Sequence, residues 1–466
     1  MGIGTYIECF KAYDVRGRVP DQLNPALARF IAHSYAELIK PKRVAVGHDV
    51  RLTSPELSQA LCEGLVDSGV DVVDIGLVGT EEVYFATFSL DLDGGIMVTA
   101  SHNPRDYNGM KFTREKARPI SADTGLMQME ETTMEELRRD GYIHWGPPAR
   151  DESAPRGTVT PADTRPDYIE HLLTYVDLDK LCPLKVVVNA GNGGAGPVID
   201  LLEQSLPFHF VKLNHTPDGS FPAGVPNPML PENRAVTSEA VLAEGADLGI
   251  AWDGDFDRCF FFDEKGGFVE GYYLVGLLAE RALKRHPGAS IIHDPRLVWN
   301  TVDIVRGAGG SPVVSKSGHA FIKEKMREID AAYGGEMSAH HYFKEFSYCD
   351  SGMIPWLQVA EAISEQGRPL SEMVEERIAG YPVSGEINLT LADPRAALAA
   401  AKERYASQAI GVDEIDGLSV EFADWRFNVR MSNTEPVVRV NVETRGDADL
   451  LEEKTGEVLQ VLEQAR

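Results

Sequence analysis

The sequence predicts an α/β protein of four domains, in which three similar mixed α/β domains precede a smaller α+β domain. Its 466 residues are too many for one hydrophobic core. Short apolar runs alternate with helical segments through most of the chain, which is typical of sheets with parallel strands. Strand-like runs dominate beyond residue 380. We place the domains at residues 1–150, 151–257, 258–380 and 381–466.

The first domain is predicted from two apolar strands on either side of a helix. "RVAVGHDV" and "VDVVDIG" are the strands, and "SPELSQALCEGLVDSG" is the helix between them. Ser54 is expected to cap this helix and Pro55 to begin it. The Pro-rich polar stretch 145–166 then predicts a linker to the second domain.

The later domains repeat this order and then depart from it. "KVVVN" and "FHFVKLN" are the strands of the second domain, and "SIIHD", "SPVVS" and "AAYGGEMS" are those of the third. In the last domain "SGEINLTL", "LSVEFADWRFNVRM" and "PVVRVNVETRG" predict strands, with helices at 394–407 and 447–465. The lack of regular alternation there favours an α+β domain.

Composition excludes several classes of protein. A formal net charge of −27 at pH 7 argues against nucleic-acid and anionic-membrane partners. No apolar run reaches the roughly 18 residues of a membrane span, and the N-terminus lacks a signal-peptide pattern. The five cysteines are scattered without C-x-x-C spacing, so neither a disulfide framework nor a zinc site is expected. We predict a cytoplasmic protein.

A loop rich in polar residues follows the buried strand "DGGIMV". It begins "TASHNPRDYNGMKF", residues 99–112, and contains Ser101 and Lys111. One interpretation is an ordinary turn whose side chains cap backbone groups. The other is a nucleophilic serine on a loop held by a rigid sheet.

Three carboxylates follow a later strand in "LGIAWDGDFDRCFFF". Asp253, Asp255 and Asp257 lie close enough to repel one another unless a cation such as Mg²⁺ lies among them. A solvated acidic turn is the simpler alternative. The EF-hand pattern is met only in part, since Arg258 stands where that loop needs glycine. A phosphatase whose nucleophile is Asp253 also remains open.

Two further motifs carry weaker signals. "NAGNGGAGP", residues 189–197, contains G-x-G-x-x-G, but no acidic residue ends the next strand, so a tight turn is favoured over a dinucleotide site. In "GGEMSAHHYF", Glu336, Ser338 and His340 alternate and would project to one side of an extended segment. A carboxylate, a hydroxyl and an imidazole there suit sugar binding and acid–base catalysis, although a hydrogen-bonded strand end is equally consistent.

Arginine and hydroxyl side chains occur together in "RMSNTEPVVRV", residues 430–440. Guanidinium groups beside a Ser-Asn-Thr loop can hold a phosphate, and an ordinary turn with two surface arginines is the alternative. "FKAYDVRG" adds Tyr13 and Arg16. A metal-bound nucleophile together with a second anion site indicates a substrate that carries phosphate at one end and reacts at the other.

These motifs, in this order and spacing, resemble the α-D-phosphohexomutases, most closely the bacterial phosphomannomutases and phosphomannomutase/phosphoglucomutases. The resemblance covers essentially the whole chain, with one motif in each predicted domain. It implies four domains around a central cleft and an isomerase that moves a phosphoryl group through a phosphoserine. The reaction would interconvert mannose 6-phosphate and mannose 1-phosphate through a hexose 1,6-bisphosphate, which is also the activator.

The resemblance implies a role for each candidate residue. Ser101 would carry the phosphoryl group and, with Asp253, Asp255 and Asp257, hold Mg²⁺. Lys111 and His340 would be the general acid and base. Glu336, Ser338 and His319 would bind the sugar, while Arg430, Ser432, Asn433, Thr434 and Arg439 would bind the non-reacting phosphate. Tyr13, Arg16, Arg258 and Arg296 would line the cleft.

Two departures from the family pattern concern the metal loop and the sugar. Phe256 replaces a glycine of D-G-D-G-D-R, so its side chain must point away from the cation. Arg296 stands where dual-specificity relatives tend to carry lysine, which leaves a phosphoglucomutase or a dual-specificity mutase as alternatives. A metal-dependent sugar-phosphate phosphatase is a further one. The partners expected are phosphosugars, and the protein is expected to be a monomer or a dimer.

Overall fold

The structure, a computed structural model of the chain, describes residues 7–139, 155–431 and 437–465. The chain divides into two compact units. The first comprises Met1–Gly266 and Glu345–Glu365, and the second comprises Gly267–Lys344 and Gln366–Arg466.

A mixed sheet of seven strands begins the first unit. Its strands are β1 (Val15–Arg18), β2 (Arg43–His48), β3 (Asp71–Leu77), β4 (Gly94–Val98), β5 (Tyr107–Arg114), β6 (Arg118–Pro119) and β7 (Val159–Pro161). The helices are α1 (Pro25–Ile39), α2 (Ser54–Asp67), α3 (Thr80–Ser89) and α4 (Leu126–Arg139). The strand order is β1-β5-β4-β2-β3-β7, with β6 beside β5. β2 runs parallel to β3 and β4, whereas β5 is antiparallel to β4.

Local chemistry sets the ends of the helices in this sheet domain. The side chain of Asn24 accepts a hydrogen bond from the Leu27 N–H at 2.9 Å and so caps α1. The expected cap of α2 is wrong by one residue, because Thr53 precedes that helix and Ser54 is its first residue. Ser54 Oγ instead donates to Asp49 Oδ1 at 2.5 Å.

A smaller sheet completes the first unit. Its elements are α5 (Arg165–Leu173), β8 (Lys185–Asn189), α6 (Ala195–Leu202), β9 (His209–Leu213), α7 (Ala235–Glu244), β10 (Leu248–Trp252) and β11 (Cys259–Phe262). The strands lie in the order β11-β10-β8-β9. β8 is parallel to both β9 and β10. Ligands of such sheets bind at the carboxyl ends of the strands, and the three-carboxylate loop begins where the fully buried β10 ends.

The second unit opens with a third mixed sheet. Its elements are α8 (Gly271–Arg285), β13 (Ser290–His293), α9 (Trp299–Gly307), β14 (Ser311–Val314), α10 (His319–Ile329), β15 (Tyr333–Gly335) and β16 (His341–Phe343). β12 (Phe268–Val269) precedes them in the chain and is not a strand of this sheet. β13 lies between parallel β14 and β15, and β15 pairs with β16 as an antiparallel hairpin. β17 (Cys349–Asp350) and α11 (Ile354–Gln366) follow in the chain.

An antiparallel sheet ends the chain. Its elements are α12 (Leu370–Gly380), β18 (Ile387–Thr390), α13 (Pro394–Tyr405), β19 (Gly411–Asp413), β20 (Leu418–Glu421), β21 (Trp425–Met431), β22 (Val437–Thr444) and α14 (Ala448–Gln464). The strands lie in the order β18-β22-β21-β20-β19, and each strand is antiparallel to its neighbours in that order. Val420, Phe427, Val440 and Val458 belong to one buried core between this sheet and its helices.

The predicted fold class is confirmed: three mixed sheets with helices precede an α+β domain built on one antiparallel sheet. The linker prediction is wrong at Val159–Pro161, which adds a parallel strand beside β3. Gly157 allows that approach, because a Cβ there would lie 1.9 Å from the Val70 carbonyl oxygen. No helix in the described part of the chain is long and apolar enough to cross a membrane. The five cysteines all lie in the described part of the chain, and none of them forms a disulfide bond.

Candidate active site

The loop between β4 and β5 carries Ser101, the predicted nucleophile. Ser101 is 2% exposed, and its backbone has a left-handed φ of 48°. That conformation is uncommon for a residue other than glycine, so its surroundings must stabilise it. The Ser101 N–H donates to Thr99 Oγ1 at 2.9 Å. A Cβ at Gly254 would lie 2.7 Å from the Ser101 carbonyl oxygen, so glycine is needed where the two loops touch.

Asp253, Asp255 and Asp257 lie on a loop after β10, which we call the metal loop (residues 253–257). All three are buried, and one carboxylate oxygen of each lies within 4.8 Å of the others. Asp255 Oδ1 is buried without a hydrogen-bond partner among the described residues. Buried charges are costly unless they are paired. The metal loop therefore fits a divalent cation with hard oxygen ligands, and Mg²⁺ prefers such ligands.

The serine and the metal loop are in direct contact. Ser101 Oγ donates to Asp253 Oδ2 at 2.7 Å. Arg258 Nε donates to the same carboxylate oxygen at 2.8 Å, and its Nη2 lies 3.5 Å from Ser101 Oγ. A phosphoryl group on Ser101 would thus have a guanidinium beside it. The structure therefore brings Ser101, Asp253 and Arg258 together.

Lys111, on β5, points at the other two carboxylates. Its Nζ donates to Asp255 Oδ2 at 2.7 Å and to Asp257 Oδ2 at 2.6 Å. Burial alone would lower the pKa of Lys111, but the two carboxylates outweigh burial and raise that pKa. Lys111 is therefore positively charged in this arrangement.

Phe256, which stands in the metal loop where the family pattern has glycine, packs against glycines outside that loop. It is fully buried, with φ of 45°. A Cβ at Gly79 would lie 2.1 Å from its ring, and a Cβ at Gly194 would lie 3.0 Å from it. A Cβ at Gly193 would lie 2.7 Å from the Gly254 carbonyl oxygen. The glycines of "NAGNGGAGP" thus permit close packing of the metal loop, which supports the tight turn over a dinucleotide site.

Arg16 and Tyr13 lie at the start of the first sheet. Arg16 Nη1 donates to Asn103 Oδ1 at 2.6 Å, so Arg16 reaches the loop that carries Ser101. Its Nε donates to Asp14 at 2.7 Å. Tyr13 is half-buried and lies in the bend before β1.

Sequence reasoning assigned no role to two residues of this site. Thr80, at the start of α3, donates from Oγ1 to Asp255 Oδ2 at 2.6 Å. His102 Nδ1 lies 3.0 Å from Ser101 Oγ and is also contacted by Arg258. Burial, followed by the charge of Arg258, lowers the pKa of His102 well below its usual value, so its imidazole is neutral. The only sequence signal for His102 is its position next to Ser101. The sequence around Thr80 contains no motif that would indicate a role for it.

The predicted sugar-binding residues lie in the second unit, on the turn between β15 and β16. The expected extended segment is wrong: Glu336–His340 form a tight turn closed by the Glu336 N–H and the His340 carbonyl at 2.9 Å. Ala339 has a left-handed φ of 70°, which reverses the chain there. Side chains on this turn therefore do not alternate as in a strand.

That turn nevertheless gathers the predicted side chains. Glu336 accepts hydrogen bonds from Tyr342 Oη at 2.5 Å and from the Gly318 N–H at 2.9 Å. The next residue, His319, begins α10, and its ring lies 6.4 Å from that of His340, centre to centre. Ser338 Oγ accepts from Arg296 Nη2 at 3.4 Å. A carboxylate, a hydroxyl and two imidazoles are thus grouped in the second unit.

Three arginines of the second unit surround one carboxylate, and we call Arg296, Arg430 and Arg439 the arginine cluster. Glu386 lies between them, 3.5 Å from Arg296, 3.8 Å from Arg430 and 3.4 Å from Arg439. Burial and then the neighbouring Arg296 lower the pKa of Arg430. Sequence reasoning missed Glu386.

The rest of the predicted phosphate site is only partly described. Arg430 and Arg439 face each other across the β21–β22 pair. Ser432, Asn433 and Thr434 lie outside the described residues. Arg296 is anchored by Asp294, which accepts from its Nη2 at 2.8 Å and its Nε at 3.0 Å. The structure therefore places Arg296 in one group with Arg430 and Arg439, and their predicted roles stay predictions.

Comparison with known protein families now identifies the chain. Four models of "Phosphoglucomutase/phosphomannomutase" match it: alpha/beta/alpha domain I at 8–137, domain II at 166–267, domain III at 270–381 and the C-terminal domain at 386–460. The chain belongs to the phosphoglucomutase/phosphomannomutase family. The predicted membership of the phosphohexomutases, and with it the prediction of an isomerase, is confirmed.

Individual members of this family are similar over nearly the whole chain. A phosphomannomutase of Salmonella montevideo is 59% identical over 98% of this chain and 99% of its own. A Xanthomonas campestris protein named "Phosphohexose mutases" is 58% identical over 98% and 99%. The crystal structure of a phosphoglucomutase/phosphomannomutase family protein from Burkholderia thailandensis is 32% identical, with a TM-score of 0.84 and coverage of 98% of both chains. The four-domain boundaries and the roles of individual residues stay predictions.

Proposed function

We propose that this phosphohexomutase interconverts mannose 6-phosphate and mannose 1-phosphate. Relatives named phosphomannomutase that are 59% and 58% identical support mannose as the sugar. The hydrogen bond from Ser101 Oγ to Asp253, 2.7 Å long, is the observation that carries the mechanism. It links a buried hydroxyl to a set of carboxylates, which is the arrangement that phosphoryl transfer to and from a serine requires.

Ser101 is phosphorylated when the enzyme is ready to react. A free hydroxyl of the monophosphate attacks this phosphoryl group, the bond from phosphorus to Ser101 Oγ breaks, and a hexose 1,6-bisphosphate forms. The bisphosphate turns around and returns its other phosphoryl group to Ser101. Released bisphosphate can phosphorylate an unmodified Ser101, so the same compound is the activator.

Mg²⁺ suits the metal loop, because three buried carboxylates and the unpartnered Asp255 Oδ1 provide hard oxygen ligands. Asp253, Asp255 and Asp257 would hold it together with the phosphoryl oxygens on Ser101. The bound ion would neutralise negative charge on the transferring group. Arg258 adds a fixed positive charge beside Ser101 Oγ.

Lys111 and His340 handle protons in this proposal. Lys111 is protonated before the reaction, because its pKa is raised. It then serves as the acid that donates a proton toward the oxygen of Ser101 or of the sugar. His340 accepts the proton of the attacking hydroxyl. Glu336, Ser338 and His319 bind and orient the sugar hydroxyls, and Tyr13 and Arg16 line the predicted cleft.

Arg430 and Arg439, with Ser432, Asn433 and Thr434, bind the phosphate that does not react, and Arg296 assists them. Guanidinium groups form paired hydrogen bonds with phosphate oxygens, so they can hold either end of the substrate. The bisphosphate must be held in two orientations, which a cluster of several donors allows.

The test is a coupled assay that compares kcat/KM for mannose 1-phosphate and glucose 1-phosphate. We expect mannose 1-phosphate to be preferred. The Xanthomonas relative named "Phosphohexose mutases" favours dual specificity as the second candidate, and equal values would support it. Release of inorganic phosphate without isomerisation would instead reveal a phosphatase.

Mass mapping of the purified protein tests the phosphoserine separately. We expect a mass increase of one phosphate that maps to the peptide containing Ser101. This phosphate should persist during turnover with mannose 1-phosphate, because the bisphosphate returns a phosphoryl group to Ser101 in every cycle. Phosphate found only on Asp253 would contradict this mechanism. Monomeric or dimeric state, cytoplasmic location and the lack of nucleic-acid or membrane partners stay predictions.

A further inference from the structure

Arg51 lies beneath the loop that carries Ser101, and the metal-loop mechanism makes no use of it. It follows β2 and is 1% exposed. Its guanidinium donates four hydrogen bonds, all to main-chain carbonyl oxygens. The acceptors are Ser101 at 2.8 Å, Asn103 at 2.6 Å, Pro104 at 2.8 Å and Tyr107 at 2.9 Å.

These bonds hold the backbone of the loop rather than its side chains. The guanidinium is planar and offers its donors at fixed angles, which a lysine ammonium cannot reproduce. Its own position is fixed by Asp49, whose carboxylate lies 3.5 Å from Nε, and by the ring of Phe221, 5.5 Å from the guanidinium carbon. Ser54 Oγ in turn donates to Asp49. Arg51 is thus a rigid support.

The support acts where the backbone needs one. Ser101 has a left-handed φ of 48°, a conformation that an unsupported serine leaves readily. Its carbonyl oxygen accepts from Arg51 and also packs against Gly254 of the metal loop. That conformation places Ser101 Oγ 2.7 Å from Asp253. Loss of the carbonyl contact would free the loop to turn the hydroxyl away.

We propose that Arg51 is a positioning residue that keeps Ser101 aimed at the metal loop in both its phosphorylated and its unmodified form. The inference rests on the proposed function, in which Ser101 gains and loses a phosphoryl group in every cycle. Contacts from Arg258 and Asp253 to the Ser101 side chain must change with that charge. Those of Arg51 do not, because carbonyl oxygens stay the same when the side chain is modified.

The test compares Arg51→Lys with Arg114→Lys in the full-length protein. Arg114 Nη2 donates to the Thr124 carbonyl at 2.7 Å, so the control also loses a guanidinium–carbonyl bond in the first sheet domain. For Arg51→Lys we expect kcat to fall roughly 10- to 100-fold with KM within about twofold, since hydrogen bonds from charged groups are individually strong. The control should keep both constants.

Hydrogen–deuterium exchange of the peptide spanning 101–107 is the second readout. Arg51→Lys should speed exchange there in the phosphorylated and in the unmodified protein, while the control leaves it unchanged. If Arg51→Lys does not fold, Asp49→Asn replaces it: this variant keeps the guanidinium but loosens its anchor, and it should change the same two readouts by a smaller factor.

Normal kcat with a lower melting temperature would overturn the proposal, since Arg51 would then act on stability alone. A raised KM with normal kcat would also overturn it. The exchange measurement does not need turnover. A wild-type protein without mutase activity would therefore contradict the proposed function, while unchanged exchange at 101–107 would contradict the role of Arg51.

Discussion

The surroundings of Ser101 and those of Glu386 differ in how closely their charged groups are paired. Around Ser101, direct hydrogen bonds of 2.6–2.7 Å link Asp253, Asp255 and Asp257 to their donors. Around Glu386, three guanidinium groups stand 3.4–3.8 Å away, and Glu386 Oε2 is buried without a hydrogen bond among the described residues.

The difference follows from what each region must do in the proposed reaction. Groups that stabilise a transition state work best when they are fixed before the reaction begins. A phosphate site that accepts a substrate in two orientations needs donors that can rearrange, and close internal pairs would have to be broken first. Tight pairing at Ser101 should therefore govern rate, and loose pairing at the arginine cluster should govern affinity.

Asp255→Asn gives the largest expected effect. Loss of one carboxylate weakens the cation that the three aspartates would hold, so kcat should fall about 10²-fold or more while KM changes little. Steady-state kinetics at saturating Mg²⁺ make the measurement, with Asp91→Asn at an exposed position as the control. An unchanged kcat would mean that the metal loop takes no part in the reaction, and the assignment of rate to the surroundings of Ser101 would be wrong.

Arg430→Ala tests whether the arginine cluster governs the affinity for substrate. Removal of a charge-assisted hydrogen bond should raise KM for mannose 1-phosphate and mannose 6-phosphate by a similar factor, roughly 10- to 150-fold. Escape of hexose 1,6-bisphosphate per turnover should rise as well. Arg395→Ala, at an exposed position of α13, is the control. An effect on one monophosphate alone would mean that Arg430 binds a single substrate orientation.

The sequence indicated the fold and the residues around Ser101 more clearly than those around Glu386. Apolar strands followed by polar loops mark Ser101 and the metal loop, because consecutive residues carry both the strand and its chemistry. Arg51, Thr80 and Glu386 act through contacts with residues far along the chain, and each stands in a local sequence without any ligand pattern. Hydrogen bonds between residues that are far apart in the chain produce no periodicity or spacing in the local sequence, so they could not be predicted from it.

The prediction for Glu336–His340 was wrong for a related reason. Alternation in "GGEMSAHHYF" predicted an extended segment, but β15 ends at Gly335 and β16 begins at His341. The turn needs a left-handed residue, and Ala339 supplies it although alanine is not a usual turn residue. Hairpin pairing therefore outweighed local preference.

Glu81→Gln tests how a buried carboxyl group near the surroundings of Ser101 affects the pH dependence of stability. Glu81, next to Thr80, is fully buried and accepts from the Gly352 N–H at 2.6 Å. Burial raises its pKa to about 8, from 4.5. Between these values the folded protein keeps a proton that the unfolded chain loses. The free energy of unfolding therefore decreases as pH rises, by up to about 1.4 kcal/mol per pH unit.

Chemical denaturation at several pH values measures this slope. Glu81→Gln resembles the protonated acid and should flatten the dependence between pH 5 and 8, with little change at the acidic end. Glu131→Gln, on the exposed side of α4, should leave the slope unaltered. An identical slope in Glu81→Gln and wild type would place the titrating group elsewhere.

Glu386→Gln gives the smallest expected effect and addresses the loose region directly. The Glu386 carboxylate is the internal anion of the arginine cluster, so it competes with substrate phosphate for the same three guanidinium groups. Its neutral isostere should lower KM for both monophosphates about 2- to 10-fold, since ion pairs that lack a direct hydrogen bond are weak, at about 0.2–1 kcal/mol each. Product release should slow in parallel, which lowers kcat if release limits turnover.

Asp416→Asn is the matched control, because Asp416 lies 3.8 Å from Arg430 and no such pairing links it to Arg296 or Arg439 among the described ion pairs. It should change KM less than Glu386→Gln does. A rise in KM for Glu386→Gln would mean that the carboxylate orders the arginines for phosphate instead of competing with it. The arginine cluster would then be as preorganised as the surroundings of Ser101, and the contrast between the two regions would be wrong.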